Sequence, residues 1–198
     1  MEKSVMNTNR MTGLTAILII LLNMAVGSGQ TSRNNVIEFI LSTYSARMFS
    51  DKPVTDNEIE QILKCGIKAP SARNSQPWKF TVVRDMTKVN SLFRSINDGN
   101  VVIIVSGLET EPQRMNVDFD CALATENMCI AAQGLGLGAR IYTGPVRRID
   151  AETIKILEIP EGYRVVALLR IGHLDTGADA VTSASPRKTM DELVNYTE

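Results

Sequence analysis

One segment limits the possible folds more than any other, because it has the length of a helix and is apolar on nearly every side. Within residues 118–134 the small and apolar side chains include Cys121, Ala122, Leu123, Ala124, Met128, Cys129, Ile130, Ala131 and Ala132. Such a helix is stable only when it is buried, in a core or in a subunit interface. Because β-rich runs alternate with helical segments elsewhere, the sequence predicts helices packed on a sheet.

Composition excludes several classes of protein for this chain of 198 residues. Lys and Arg number 21 against 22 Asp and Glu, and a net charge of −1 argues against a nucleic-acid-binding protein, which usually carries a basic stripe. A single His leaves little room for a His-rich metal site. The three cysteines, Cys65, Cys121 and Cys129, form no Cys-x-x-Cys pair, so we interpret them as buried structural thiols and expect no metal.

Residues 1–29 have the layout of a secretory signal peptide. Basic residues precede a short apolar stretch over 14–26, and small residues follow it. That stretch is too short for a membrane span of ~20 residues, so no stable span is predicted. Cleavage after Gly27 or Gly29 would leave Ser28 or Gln30 as the first residue, and residues 30–198 would form a single exported domain, with the periplasm as its expected location. The alternatives are an uncleaved interfacial helix, or a start assigned too early, in which case the protein is cytoplasmic.

Local signals predict the remaining elements. Thr55 and Glu58 have the spacing of a capping box, so a helix should begin there and end before Pro70. The repeat Gly134-x-Gly136-x-Gly138 follows a helix and precedes a strand, the reverse of the order in a dinucleotide-binding loop, so a helix-ending turn is the preferred interpretation. We also expect helices over residues 35–44, 90–96 and 150–157, and strands over 78–84, 101–105, 139–142 and 164–171.

Two segments could carry chemistry, residues 44–49 and residues 69–78. The second is a polar loop bounded by prolines, and it leads from a helix into a strand that begins with the only Trp. Its side chains Ser71, Asn74 and Gln76 could hold a flat heteroaromatic ligand by hydrogen bonds, as loops on a rigid scaffold often do. The alternative is a tight polar loop without a ligand.

Together these segments resemble two motifs of the nitroreductase family of FMN-dependent oxidoreductases. Ser45, Arg47 and Phe49 match its Arg-x-Ser-x-Arg-x-Phe element, and residues 69–78 match its Ala-Pro-Ser-x-x-Asn-x-Gln-Pro-Trp motif. The resemblance extends over about residues 34–197. It implies an α+β fold, a three-layer α/β/α sandwich around a mixed central sheet, built as an intertwined homodimer with FMN at the subunit interface.

The resemblance also implies a set of flavin-binding residues, and no catalytic side chain, because the flavin carries the chemistry. The set is Thr43, Tyr44, Ser45, Arg47, Pro70, Ser71, Asn74, Gln76, Thr143, Gly144, Arg187 and Lys188. Ser71 and Asn74 would come from the other subunit. Thr143 stands where many members have Glu, and Thr43 stands where the family usually has Arg, so FMN affinity could be lower than in relatives.

The implied activity is a ping-pong oxidoreduction. NAD(P)H would donate a hydride to FMN, and a small-molecule acceptor of the nitroaromatic or quinone type would then be reduced. Two alternatives stay open. One is an FMN enzyme of the same fold that catalyses dehalogenation or dehydrogenation, and the other is an exported flavin-binding protein without catalysis.

Overall fold

The structure is a computed structural model that describes residues 35–109, 116–177 and 185–197. The predicted signal peptide over 1–29 lies outside these residues, so it stays a prediction. The chain divides into two units, Met1–Ser42 and Thr43–Glu198, and the first contains helix α1 over residues 35–42. Within the described ranges, no helix has both the length and the apolar character that crossing a membrane requires.

The second unit contains the remaining helices and all the strands of the described chain. The α-helices are α2 (Asp56–Ile67), α3 (Val117–Gly134), α4 (Ala151–Ile156) and α5 (Met190–Leu193), and the strands are β1 (Trp78–Val83), β2 (Val101–Leu108), β3 (Gly138–Tyr142) and β4 (Tyr163–Gly172). Short 3-10 helices cover Ala72–Asn74, Met86–Lys88, Asn90–Leu92 and Gly144–Arg148. The prediction of a helix over 90–96 is wrong beyond Leu92, because Phe93 adopts an extended backbone conformation.

The four strands form one sheet in the order β1-β2-β4-β3, and every pairing is antiparallel. The α+β fold is therefore confirmed, whereas the resemblance implied a mixed sheet. The difference has a topological reason. The chain crosses from β2 through α3 to β3, but β4 inserts between those two strands and runs against both. Strands β2 and β3 consequently point the same way without pairing.

Both faces of the sheet are covered, which gives the three layers expected. Side chains of β2 alternate between two apolar clusters, as the pleat of a strand requires. Val101 and Ile103 face the cluster that contains α2 and α3, whereas Val102 and Ile104 face the cluster beneath α4 and the 3-10 turns. All four side chains are fully buried, which confirms the prediction that residues 101–105 form a strand buried on both faces.

Helix α3 is the central packing element on its face of the sheet. It packs on α2 and on the sheet through fully buried side chains that include Ala124, Met128 and Ala132. The helix ends in a Schellman motif, in which Leu137 N–H donates to the carbonyl oxygen of Ala132 at 3.0 Å. Gly136 occupies the left-handed position of that motif with φ +78°. The glycine repeat is therefore a helix-ending turn, as predicted.

The three cysteines differ in accessibility. Cys121 and Cys129 are buried as predicted, but Cys65 is exposed, so its assignment as a buried thiol is wrong. The reason is its place on α2, whose buried side is formed by Ile59, Ile62 and Gly66. Burial raises the pKa of Cys121 to about 12 and that of Cys129 to about 11, with further contributions from Asp118 and Glu126 respectively.

These pKa values predict that Cys121 and Cys129 resist alkylation in the folded protein. The thiolate is the reactive form, and at pH 8.5 both groups remain protonated. Iodoacetamide at that pH should leave both unmodified over hours, as peptide mass spectrometry would report. The same treatment in denaturant should modify all three cysteines. Rapid labelling of Cys121 or Cys129 in the folded protein would contradict the burial described.

Candidate active site

The first motif lies along the free edge of the sheet. Residues 43–47 run beside β3, and the backbone N–H of Ala46 donates to the carbonyl oxygen of Ala139 at 3.0 Å. The side chain of Ala46 is buried, whereas the neighbouring Ser45 and Arg47 are exposed. The motif thus presents alternate side chains outward from a backbone that the strand edge holds in place.

The C-terminal segment meets this motif through a serine. The guanidinium of Arg47 donates to Oγ of Ser185 at 3.1 Å, and that of Arg187 donates to the carbonyl oxygen of the same serine at 3.0 Å. Arg187 and the adjacent Lys188 are exposed. The structure therefore brings together two arginines that are 140 positions apart in sequence. Neighbouring guanidinium groups of this kind suit phosphate, which they can bind with paired hydrogen bonds.

The end of β3 lies beside the same cluster. One cleft is lined by Arg47, Tyr142 and Pro145. Thr143 and Gly144 come between Tyr142, the last residue of β3, and Pro145, so they lie where this cleft begins. Both residues are exposed, and a Cβ added at Gly144 would meet no atom within 4 Å. The backbone at Gly144 is consequently open to approach by a ligand.

The second motif forms a loop with an unusual backbone. Arg73, Asn74 and Gln76 have φ values of 55°, 56° and 46°, in the left-handed region that non-glycine residues seldom adopt. Oγ of Ser71 accepts from the N–H of Gln76 at 3.0 Å, and Nε2 of Gln76 donates to Oδ1 of Asn74 at 3.3 Å. Pro70, Asn74 and Gln76 are exposed. Strain of this kind concentrates at functional sites, where the surrounding structure holds it in place.

The two motifs are attached to opposite ends of α3. Tyr44 N–H donates to Oε1 of Gln133 near the end of the helix, whereas Ala72 N–H donates to both carboxylate oxygens of Asp120 in its first turns, at 3.1 and 3.2 Å. At 1.5 Å per residue, these two anchors are separated by about 20 Å along the helix. One chain therefore brings the first motif, the end of β3 and the C-terminal segment together, but it does not bring the loop to them.

Four arginines that the sequence did not point to also lie near the first motif. The cleft is lined by Arg94, Arg140, Arg148 and Arg170, together with Arg47. Its volume is about 460 Å³. They come from β3, β4 and two connections, so only the topology brings them together. The one local signal is on β3, where Arg140 and Tyr142 alternate with apolar residues and hence face the same side.

Comparison with known proteins identifies the relatives of this chain. A family model described as the nitroreductase family matches residues 40–101 and 87–173. A candidate NADH dehydrogenase/NAD(P)H nitroreductase of Archaeoglobus fulgidus is 34% identical over 148 residues, which is 69% of this chain and 84% of that protein. An NADPH-flavin oxidoreductase of Vibrio harveyi is 29% identical over 163 residues, which is 72% of this chain and 67% of that protein.

Solved structures agree with the fold. The crystal structure of a nitroreductase with bound FMN from Bacteroides fragilis superposes with a TM-score of 0.69, at 22% sequence identity. The match covers 82% of this chain and 98% of that one. The fold is therefore the one found in solved nitroreductases.

The anchor of the 71–76 loop can be tested by substitution of Asp120. Asp120 is 2% exposed, and Asp120→Ala removes the charged acceptor of the Ala72 N–H, a kind of hydrogen bond that typically contributes about 1.5–3 kcal/mol. We expect faster cleavage after Arg73 by trypsin under native conditions, measured by mass spectrometry. Glu126→Ala, which removes an exposed carboxylate from the same helix, should leave the rate unchanged. Equal cleavage rates in the two variants would contradict the anchoring role of Asp120.

Proposed function

Since the chain belongs to the nitroreductase family, we propose that it is an FMN-dependent oxidoreductase that takes a hydride from NAD(P)H and reduces a nitroaromatic or quinone-type acceptor. The observation that carries the proposal is the convergence of Arg47 and Arg187 on Ser185. Both arginines belong to segments that the resemblance assigns to FMN, and the fold brings them into one cluster.

The chemistry of this cluster fits FMN. Its phosphate is a dianion, and Arg47, Arg187 and Lys188 supply cationic donors for it. Ser45 adds an exposed hydroxyl on the same segment as Arg47. The open backbone at Gly144 leaves room for a planar ring to approach. Thr43 and Thr143, which replace Arg and Glu of the usual family pattern, remove charged side chains from the site.

When bound, FMN would supply the hydride chemistry, so the chain needs no nucleophile or general acid of its own. The chain's part is binding and orientation. Arg47 and Arg187 would neutralise the charge of the cofactor, and their contacts with Ser185 would hold the C-terminal segment over it. The backbone of Thr143 and Gly144 would border the ring.

A homodimer is the second part of the proposal. The two motifs are anchored to points of α3 about 20 Å apart along the helix, so Ser71, Asn74 and Gln76 would contact an FMN at the first motif of a second chain. Large apolar side chains also remain exposed: Phe119, Met190, Leu193 and Tyr196 are at least half exposed. A symmetric partner could bury such side chains, which is what an interface between two copies of the chain would require.

Export directed by residues 1–29 is a further part of the proposal and rests on the sequence of that segment alone. Export would favour the non-catalytic alternative over the reductase, because NAD(P)H is scarce outside the cytoplasm. An FMN enzyme with a dehalogenase or dehydrogenase activity, and a non-catalytic flavin-binding protein, remain the alternatives.

The proposal predicts that the purified protein is yellow and contains FMN. Loss of one arginine–phosphate contact should weaken FMN binding by about tenfold or more in Arg47→Gln and in Arg187→Gln, as measured by quenching of flavin fluorescence. Arg84→Gln is the matched control, because Arg84 pairs with Asp56 away from the cluster. A colourless protein that cannot be reconstituted with FMN would refute the proposal.

The reaction is tested by anaerobic mixing of the FMN-loaded protein with NADPH or NADH. Bleaching of the flavin absorbance, followed by its return on addition of a quinone, is expected for the oxidoreductase. Bleaching with neither nucleotide would favour the non-catalytic alternative.

A further inference from the structure

The cleft beside the first motif is unusual in its charge. Of the residues that line it, Arg47, Arg94, Arg140, Arg148 and Arg170 are cationic, and none of the lining residues is Asp or Glu. Within the described ranges, none of the five forms an ion pair with a carboxylate. A chain with a net charge of −1 therefore concentrates positive charge in a cleft of about 460 Å³.

This concentration has an energetic cost that a ligand could relieve. Guanidinium groups stay charged in proteins, so like charges in one cleft repel one another and cannot escape by losing protons. Burial lowers the pKa of Arg170 below its ordinary value, and the nearby Arg140 lowers it further, while Tyr142 opposes both. An anion in the cleft would replace repulsion by attraction.

The five arginines do not have equal freedom to bind a ligand. Arg170 is 5% exposed and is committed to the protein, since its three nitrogens donate to Asn100, Ser95 and Asn97. Its role is to hold the 95–100 segment and to contribute charge.

The other cleft arginines retain more donors. Arg148 donates one hydrogen bond, to the carbonyl oxygen of Leu92 at 2.6 Å. Arg140 lies over the ring of Tyr142, with its guanidinium carbon 5.0 Å from the ring centroid. Arg94 is exposed and has no partner in the described part of the chain. Three guanidinium groups around one cleft thus keep unused N–H donors, as a phosphate-binding site requires.

We propose that Arg94, Arg140 and Arg148 bind the 2′-phosphate of NADPH, so that this cleft makes the enzyme prefer NADPH to NADH. The inference rests on the proposed function. Arg47 lines the cleft and also joins the Ser185 cluster, so the cleft adjoins the place proposed for FMN, where a hydride donor must bind. Arginine is the residue with which dinucleotide enzymes commonly accommodate the 2′-phosphate.

Two phosphates could be the ligand, that of FMN and that of the donor, and binding measurements on the full chain distinguish them. The probes are adenosine 2′,5′-bisphosphate and 5′-AMP, titrated calorimetrically into the FMN-loaded protein. We expect the bisphosphate to bind at least about tenfold more tightly, because it adds charge-assisted hydrogen bonds to the cleft arginines. Because the attraction is between exposed charges, this preference should shrink as salt is added.

Variants locate the binding to the cleft. Arg94→Gln and Arg148→Gln should each weaken bisphosphate binding by about tenfold and lower the NADPH-to-NADH ratio of kcat/KM by a similar factor. Arg147→Gln is the matched control, because Arg147 is exposed and adjacent to Arg148 but does not line the cleft. It should change neither quantity. Since Arg94 has no partner to lose in the described residues, its variant should also keep the wild-type melting temperature.

Three results would overturn the inference. The first is equal binding of the two probes to the wild type. The second is that Arg94→Gln loses affinity for FMN instead of for the bisphosphate, and the third is that the arginine variants change the KM for an acidic acceptor but leave the NADPH-to-NADH ratio of kcat/KM unchanged. Failure of the proposed function is distinguishable from these. If the protein does not bind FMN, titration of the bisphosphate into the chain without FMN still decides whether the cleft is a phosphate site.

Discussion

Helix α3 fixes the geometry on which the candidate site depends. Its burial against α2 and the sheet makes it a rigid spacer, and each motif is tied to one end of it. Gln133 accepts from the backbone of Tyr44, and Asp120 accepts from the backbone of Ala72. Because a helix cannot shorten, the two anchors stay about 20 Å apart within one chain. The proposed dimer follows from this spacing: a second chain would bring its loop to the first motif of its partner.

Electrostatics shapes the site more than hydrophobic packing does. The chain is nearly neutral, yet its arginines accumulate where β3 ends and where the C-terminal segment returns. Arg170 is held by Asn97 and Asn100, whereas Arg47 and Arg187, among the residues that the structure describes, donate to an exposed serine alone. The first arrangement stabilises the fold. The second leaves the guanidinium groups available, which is what recognition of phosphate demands.

The sequence predicted most of the fold because its signals are local. The capping box at Thr55, the alternating burial of residues 101–105 and the turn at Gly136 each depend on a few neighbouring residues. The antiparallel sheet could not be predicted, since it depends on β4 entering between β2 and β3. The arginine cleft was missed for the same reason: Arg94, Arg140 and Arg148 converge only through that topology.

The central claim, that each FMN site is built from two chains, is tested most directly by mixing two defective chains. Arg47→Gln impairs the first motif, and Asn74→Ala impairs the loop that would come from the partner. In a heterodimer of these chains, isolated through two different affinity tags, one of the two sites would regain both intact motifs. We predict an FMN content of about half the wild-type value in that heterodimer, well above either parent homodimer. An FMN content no higher than that of the parents would contradict the shared site.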